Sequence, residues 1–238
     1  LTKRGLKIFT STRFVDFTNG TVKAEREGEP LTFKADKLLV SVGRAPCTDG
    51  LNLEKAGVTL DNRGRIKVDE NFETNVKGIY AIGDVIEGPM LAHKAEEDGV
   101  VCVERISGMK SKIDHNLIPG IIYTDPEVGS VGQTERQLNE KNIPFKVGKF
   151  PFMANGRALS AHSSEGFVKI LAHEHTDKVL GVQVVGSGAS ELMAAAVAHM
   201  AYGGSAEDFA RTPHAHPTLS EALKEAALAV DKRAIHSL

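Results

Sequence analysis

The chain has 238 residues, 41% of them hydrophobic and 25% charged, and 29 Lys and Arg against 31 Asp and Glu leave a net charge of −2. That is enough chain for one large domain or two modest ones, without the basic excess that nucleic acid or an anionic membrane attracts. No apolar run approaches the roughly 18 to 20 residues of a membrane helix. The two cysteines, Cys47 and Cys102, are too few and too far apart for a disulfide scaffold or a cysteine zinc site, so an intracellular, reducing compartment is expected.

Leu1-Thr-Lys-Arg-Gly-Leu-Lys has no initiator Met, no apolar signal segment and no Arg- and Ser-rich transit pattern, so the chain is expected to begin inside a longer protein. Residues 6–42 read as strands. Asn19-Gly20 is a hairpin turn, and the apolar run at 37–42 reads as a buried strand that stops at Gly43-Arg44-Ala45-Pro46. Asp49-Gly50 and the turn at 61–64 mark a looser stretch. Gly78-Ile-Tyr-Ala-Ile82 reads as another compact strand, ending in Gly83-Asp84. Residues 91–106 read as a helix with Ala95, Val100, Val103 and Ile106 as its apolar stripe.

Pro119-Gly120 marks an internal boundary. Strands follow at 121–124, 128–131, 167–171 and 179–185, with one short helix opening on a Thr134/Gln137 capping box. Helices close the chain at 189–202, 205–210 and 219–230. Strands grouped before helices predict an α+β arrangement, an antiparallel sheet with helices on it. The apolar residues of the last helices, among them Leu192, Met193, Met200, Leu223 and Leu228, suit either the domain's own core or a dimer surface.

Two motifs need weighing. Gly186-Ser-Gly188 lies between a strand and a helix, as a dinucleotide fingerprint would, but Glu191 stands where the third glycine belongs and no βαβ unit follows. A strand-to-helix turn is the reading. Near the C-terminus stands Pro213-His214-Ala215-His216-Pro217-Thr218-Leu219-Ser220-Glu221. Pro217 stiffens the backbone at His216, and Thr218-x-x-Glu221 matches a capping box. Taken alone, Glu221 reads first as a helix cap. Equally, an imidazole with a carboxylate five positions on, across a proline turn, suits a base and its orienter in acid–base catalysis. His214 and His216 lack a third ligand, so no metal site is read.

The run at 214–221 resembles the C-terminal signature of the flavoprotein disulfide reductases, most closely of the branch that oxidises dihydrolipoyl groups. Met90-Leu-Ala-His-Lys-Ala-Glu96 resembles that branch's flavin-facing helix start, and Thr74 through Gly83-Asp84 its second FAD motif. Val42-Gly-Arg-Ala-Pro46 is similar to the turn leaving its NAD domain. Ile118-Pro-Gly through Tyr123-Thr-Asp-Pro-Glu127-Val-Gly is similar to the start of its dimerisation domain. These ordered matches cover most of residues 38–230.

The resemblance implies a mixed fold, α/β with α+β: the remnant of a flavoprotein with two dinucleotide-binding domains plus an α+β dimerisation domain. It implies residues 1–43 as the end of the NAD-binding domain, 44–118 as a central, FAD-contacting segment and 119–238 as the interface domain. FAD and NAD are the implied cofactors. Asp84 would take the FAD ribityl chain, Met90, Leu91, Ala92 and His93 would face the flavin pyrimidine, and Gly43 would let the backbone approach NAD. A helix start offers free N–H groups and partial positive charge to an anionic ring. His216 would be the active-site base, preceding a cis proline bond and reaching the partner subunit's flavin and disulfide, with Glu221 orienting it. The implied partners are a second copy of the chain and the lipoyl-bearing subunits of 2-oxo acid dehydrogenase or glycine cleavage complexes. The implied compartment is bacterial cytoplasm or mitochondrial matrix.

The family's Cys-x4-Cys pair and both of its Gly-rich loops are missing from this chain, and Pro213 departs from the pattern beside the histidine. The resemblance is therefore to a C-terminal half, expected to be inactive by itself. A non-catalytic dimerisation module, or part of a glutathione- or mercuric-reductase-like relative, are the alternatives; Met90 to His93 and His-Ala-His-Pro fit the dihydrolipoyl branch better than those relatives.

Overall fold

Asn19 and Gly20 both take positive φ, 50° and 69°, the backbone that lets a two-residue turn follow strand twist. In the computed structural model, which describes residues 1–236, this turn joins β1 (Thr12–Thr18) to β2 (Thr21–Arg26). Glu27-Gly28 repeats the device, at 53° and 86°, and leads to β3 (Glu29–Lys34). The three strands form an antiparallel meander, with a bulge between Phe14 and Asp16. They belong to the first of two compact units, Leu1–Cys47. The expected strand at 37–42 is absent, and Leu39 and Val42 are 87% and 93% exposed. An apolar run becomes a strand only when another strand takes up its N–H and C=O groups, and among the described residues none pairs with it.

The second unit, from Thr48 onward, begins with turns and isolated bridges. The expected strand at 78–82 is reduced to a single bridge, Tyr80 to Glu73. Asp84 accordingly sits not at a strand end but in a 3-10 turn, Gly83–Val85. A small core of Val58, Ile66, Phe72, Ala81, Ile86, Val101 and Cys102 closes this segment. Its helix, α1 (Ala92–Ile106), lies where expected but is turned over. It buries Lys94, Asp98, Val101 and Cys102, while Val100, Val103 and Ile106 of the expected apolar stripe are exposed.

Past Pro119 an antiparallel sheet of five strands forms: β4 (Gly120–Ile122), β5 (Glu127–Gly132), β6 (Phe145–Pro151), β7 (Phe167–His173) and β8 (Val179–Gly186), in the order β4-β5-β8-β7-β6. Between β5 and β6 lies α1's successor α2 (Glu135–Glu140), opened by the Thr134/Gln137 capping box that the spacing predicts. The one-turn helix α3 (Gly156–Ser160) precedes β7 and was not expected. The chain ends in α4 (Ala189–Ala201), α5 (Ala206–Arg211) and α6 (Glu221–Ala229). Gly186-Ser-Gly188 is the strand-to-helix turn expected, with Gly188 left-handed at the start of α4. Packed against the sheet, α4 covers β5 and β8, and α6 covers β6 and β7. The core between them includes Leu192, Met193, Met200, Leu223 and Leu228. These side chains are the domain's own interior, and the α+β expectation holds.

Candidate active site

Two prolines and a helix start set the geometry around His216. The His216–Pro217 bond is cis, and four residues later α6 begins at Glu221. His216 Nδ1 lies 2.9 Å from Glu221 Oε1. The other oxygen, Oε2, accepts the Thr218 backbone N–H at 2.8 Å. Only half of the expected capping box is therefore built. Glu221 reaches back to Thr218, but the Thr218 hydroxyl turns away to the Ala215 carbonyl, 2.7 Å off, and the residue at the N-cap of α6 is Ser220, not Thr218.

A carboxylate only accepts, so the hydrogen of the pair resides on His216 Nδ1 and leaves Nε2 as the basic atom. Among the described residues Glu221 is the ring's only hydrogen-bond partner. The ring is 78% exposed, whereas Glu221 is three-quarters buried. Burial raises the Glu221 pKa, but the Thr218 N–H and the His216 ring outweigh it, so its carboxyl lies below the usual range. The result is an anion held beneath an exposed imidazole, suited to general base catalysis.

A cavity of about 230 Å³ adjoins the ring, lined among others by Phe150, Asn155, Leu159 and Glu225. Asn155 ties its floor together. Its side-chain amide donates to the Thr218 carbonyl at 3.0 Å, while its oxygen caps α3 by accepting the Ala158 N–H at 2.9 Å. A second imidazole–carboxylate pair opens on the same cavity, His236 Nδ1 at 2.9 Å from the buried Glu225. Neither Asn155 nor this pair was anticipated from sequence. Residues 155 and 218, or 225 and 236, meet only through tertiary packing and carry no local motif.

The other predicted residues, Gly43 apart, gather at the start of α1. Met90 and Leu91 are half-buried, and Ala92 and His93 are exposed. No side chain caps this helix end, so its first N–H groups stay available to an acceptor. His93 Nε2 lies 2.8 Å from the Pro119 carbonyl. The Gly83–Val85 turn bearing half-buried Asp84 abuts the helix: a methyl at Gly83 would lie 3.0 Å from Ala95 Cβ. An open helix start beside a carboxylate-bearing turn fits one wall of a polar, partly anionic cofactor such as FAD. Gly43 belongs to the first unit, with φ of 119° and open space where a side chain would stand.

Residues 118–227 match the family model of the pyridine nucleotide-disulphide oxidoreductase dimerisation domain, and residues 1–99 match the model for pyridine nucleotide-disulphide oxidoreductase. The mitochondrial dihydrolipoyl dehydrogenase of Pisum sativum is 52% identical over 242 residues, covering 99% of this chain and 48% of that protein. The dihydrolipoyl dehydrogenase of Cupriavidus necator is 49% identical over 241 residues, covering 99% of this chain and 51% of that protein. Among solved structures, LpdA from Mycobacterium tuberculosis superposes with a TM-score of 0.84 at 28% identity, over 95% of this chain and 50% of its own. The chain spans about half the length of the curated relatives it matches.

Proposed function

Because the chain belongs to the pyridine nucleotide-disulphide oxidoreductase family, we propose that it is the C-terminal portion of a dihydrolipoyl dehydrogenase and supplies that enzyme's acid–base pair, part of its FAD wall and its dimer surface. The observation that carries this reading is the 2.9 Å contact between His216 Nδ1 and Glu221, which leaves Nε2 basic at an exposed position. In the proposed reaction His216 Nε2 takes the proton of a dihydrolipoyl thiol as its sulfur attacks the redox disulfide and passes that proton to the sulfur released as the disulfide opens, while Glu221 holds the ring and balances its charge. FAD, when bound, would take the electron pair from the dithiol formed when the dihydrolipoyl group reduces the redox disulfide, and pass it to NAD. Asp84 would accept a hydrogen bond from a cofactor hydroxyl, the start of α1 from Met90 to His93 would face the flavin ring, and Gly43 would leave room for NAD.

An exposed base does not exclude water by itself. The reading therefore includes a homodimer in which a second subunit covers His216, in keeping with a matched dimerisation domain. The proposed division is 1–43 for the end of the NAD domain, 44–118 for the FAD-contacting segment and 119–238 for the interface domain. The proposed substrates are lipoyl groups on subunits of 2-oxo acid dehydrogenase or glycine cleavage complexes, in the mitochondrial matrix or a bacterial cytoplasm. The test uses the whole protein. His216→Gln should retain the flavin absorbance and lower the turnover of dihydrolipoamide with NAD by about 10²- to 10⁴-fold. Unchanged turnover would overturn the assignment.

A further inference from the structure

The two most deeply buried charges of the second unit lie one helical turn apart on α1. Lys94 and Asp98 are both 0% exposed, and Lys94 occupies the third residue of the helix. A buried cation there faces the positive end of the helix dipole, where it is least favoured. Its Nζ lies 2.6 Å from Asp98 Oδ2. The pair also grips one residue, Gly83, from both sides. Lys94 Nζ donates to the Gly83 carbonyl at 3.2 Å, and the Gly83 N–H donates to Asp98 Oδ2 at 3.1 Å. His115 Nε2, 3.1 Å from Asp98 Oδ1, closes the cluster on its solvent side.

The glycines flanking Asp84 show how tightly this grip is packed. A methyl at Gly83 would stand 3.0 Å from Ala95 Cβ, and one at Gly88 would stand 3.1 Å from Lys94 Cε. The Lys94 stem therefore runs along the loop that presents Asp84. Stability alone does not account for the arrangement, since apolar residues of similar volume often serve a fold as well as a buried ion pair does. What the ion pair adds is direction: both polar atoms of Gly83 are tied to groups on the helix whose start faces the proposed cofactor.

We propose that Lys94 and Asp98 are positioning residues that clamp the Gly83–Val85 turn to α1, so that Asp84 and the helix start meet FAD in one fixed geometry. The inference rests on the FAD reading given above. Neither residue touches the cofactor; both act through Gly83.

In the whole flavoprotein, the paired change Lys94→Met with Asp98→Leu removes both charges at similar volume and leaves neither ion alone. The expected result is an apoprotein that unfolds within a few degrees of the unaltered one, with FAD released roughly tenfold faster or more, a factor equal to about 1.4 kcal/mol. A loosened turn should also change the bound flavin's absorbance and fluorescence, which a purely structural pair would leave alone. Asp84→Asn is measured beside it. If Asp84→Asn leaves FAD release unchanged, the FAD reading fails and the clamp with it. If Asp84→Asn speeds release while the folded double variant does not, the clamp alone is overturned. Should the double variant fail to fold, Asp98→Asn keeps the shape and removes the charge. Release at least threefold faster from that variant supports the clamp, and release at the unaltered rate overturns it.

Discussion

Glu221 uses both carboxylate oxygens at once, one on the His216 ring and one on the Thr218 N–H. An amide offers a single acceptor. Glu221→Gln must therefore either turn its NH2 toward the ring, displacing the Nδ1 hydrogen, or leave the Thr218 N–H unpaired. Either way the base loses its tautomer or its fixed loop, but the imidazole remains. Turnover by the whole enzyme should fall about tenfold to hundredfold, less than with His216→Gln, and steady-state kinetics of the two variants side by side would check the order. Equal turnover in Glu221→Gln and the unaltered enzyme would mean that Glu221 is only a helix cap. This pair was legible in the sequence because its members are five residues apart across a proline turn. Lys94 and Asp98 also stand at helical spacing, but that spacing is the same for a solvated pair, and their complete burial depends on Gly83.

The strand β6, residues Phe145–Pro151, shows why an element can be missed altogether. Pro144 before it, Gly148 within it and Pro151 at its end all weigh against a strand. The sheet order resolves this, since β6 is an edge, where an absent N–H costs little. Gly148 has its own reason. A methyl there would lie 2.0 Å from the Ala226 carbonyl and 2.6 Å from the Val230 nitrogen, because α6 rides directly on the strand. Gly148→Ala should thus lift α6 and cost about 3 kcal/mol, the upper part of the overpacking range. Since α6 begins at Glu221, turnover should fall as well. Denaturant midpoints together with kinetics would test this, and an unchanged midpoint would refute the packing argument. The helix α1 carries a related lesson. Its apolar periodicity pointed to a buried stripe, yet Val103 is 62% exposed and the opposite face is inside. Periodicity counts apolar side chains; it does not register a lysine and an aspartate that neutralise each other and bind a backbone turn.

For the chain as a whole, the sequence was most legible where neighbours in sequence are also neighbours in space, as in the β1–β2 hairpin and the helices that cover the sheet. It misled where a segment depends on strands from elsewhere, as at 37–42 and 78–82. Charge pairing, local at Asp61 and partly long-range at Glu207, predicts the acid response. Glu207 on α5 is held by Arg233, beyond α6, and by Arg211, which together pull its carboxyl from 4.5 to about 2. Asp61 falls from 3.8 to about 2 because the Arg65 N–H, the Arg65 guanidinium and the Arg63 N–H all bond it and together outweigh the upward push of burial. Both groups bind protons more weakly folded than unfolded, so their contribution is complete above the unfolded values and disappears as pH falls toward the folded ones. Denaturant midpoints should be flat with respect to these two groups above about pH 5 and decline from roughly 4.5 to 2. The combined change Asp61→Asn and Glu207→Gln should lower the midpoint at neutral pH and flatten that decline; an acid limb equally steep in the variant would show that other carboxylates govern it.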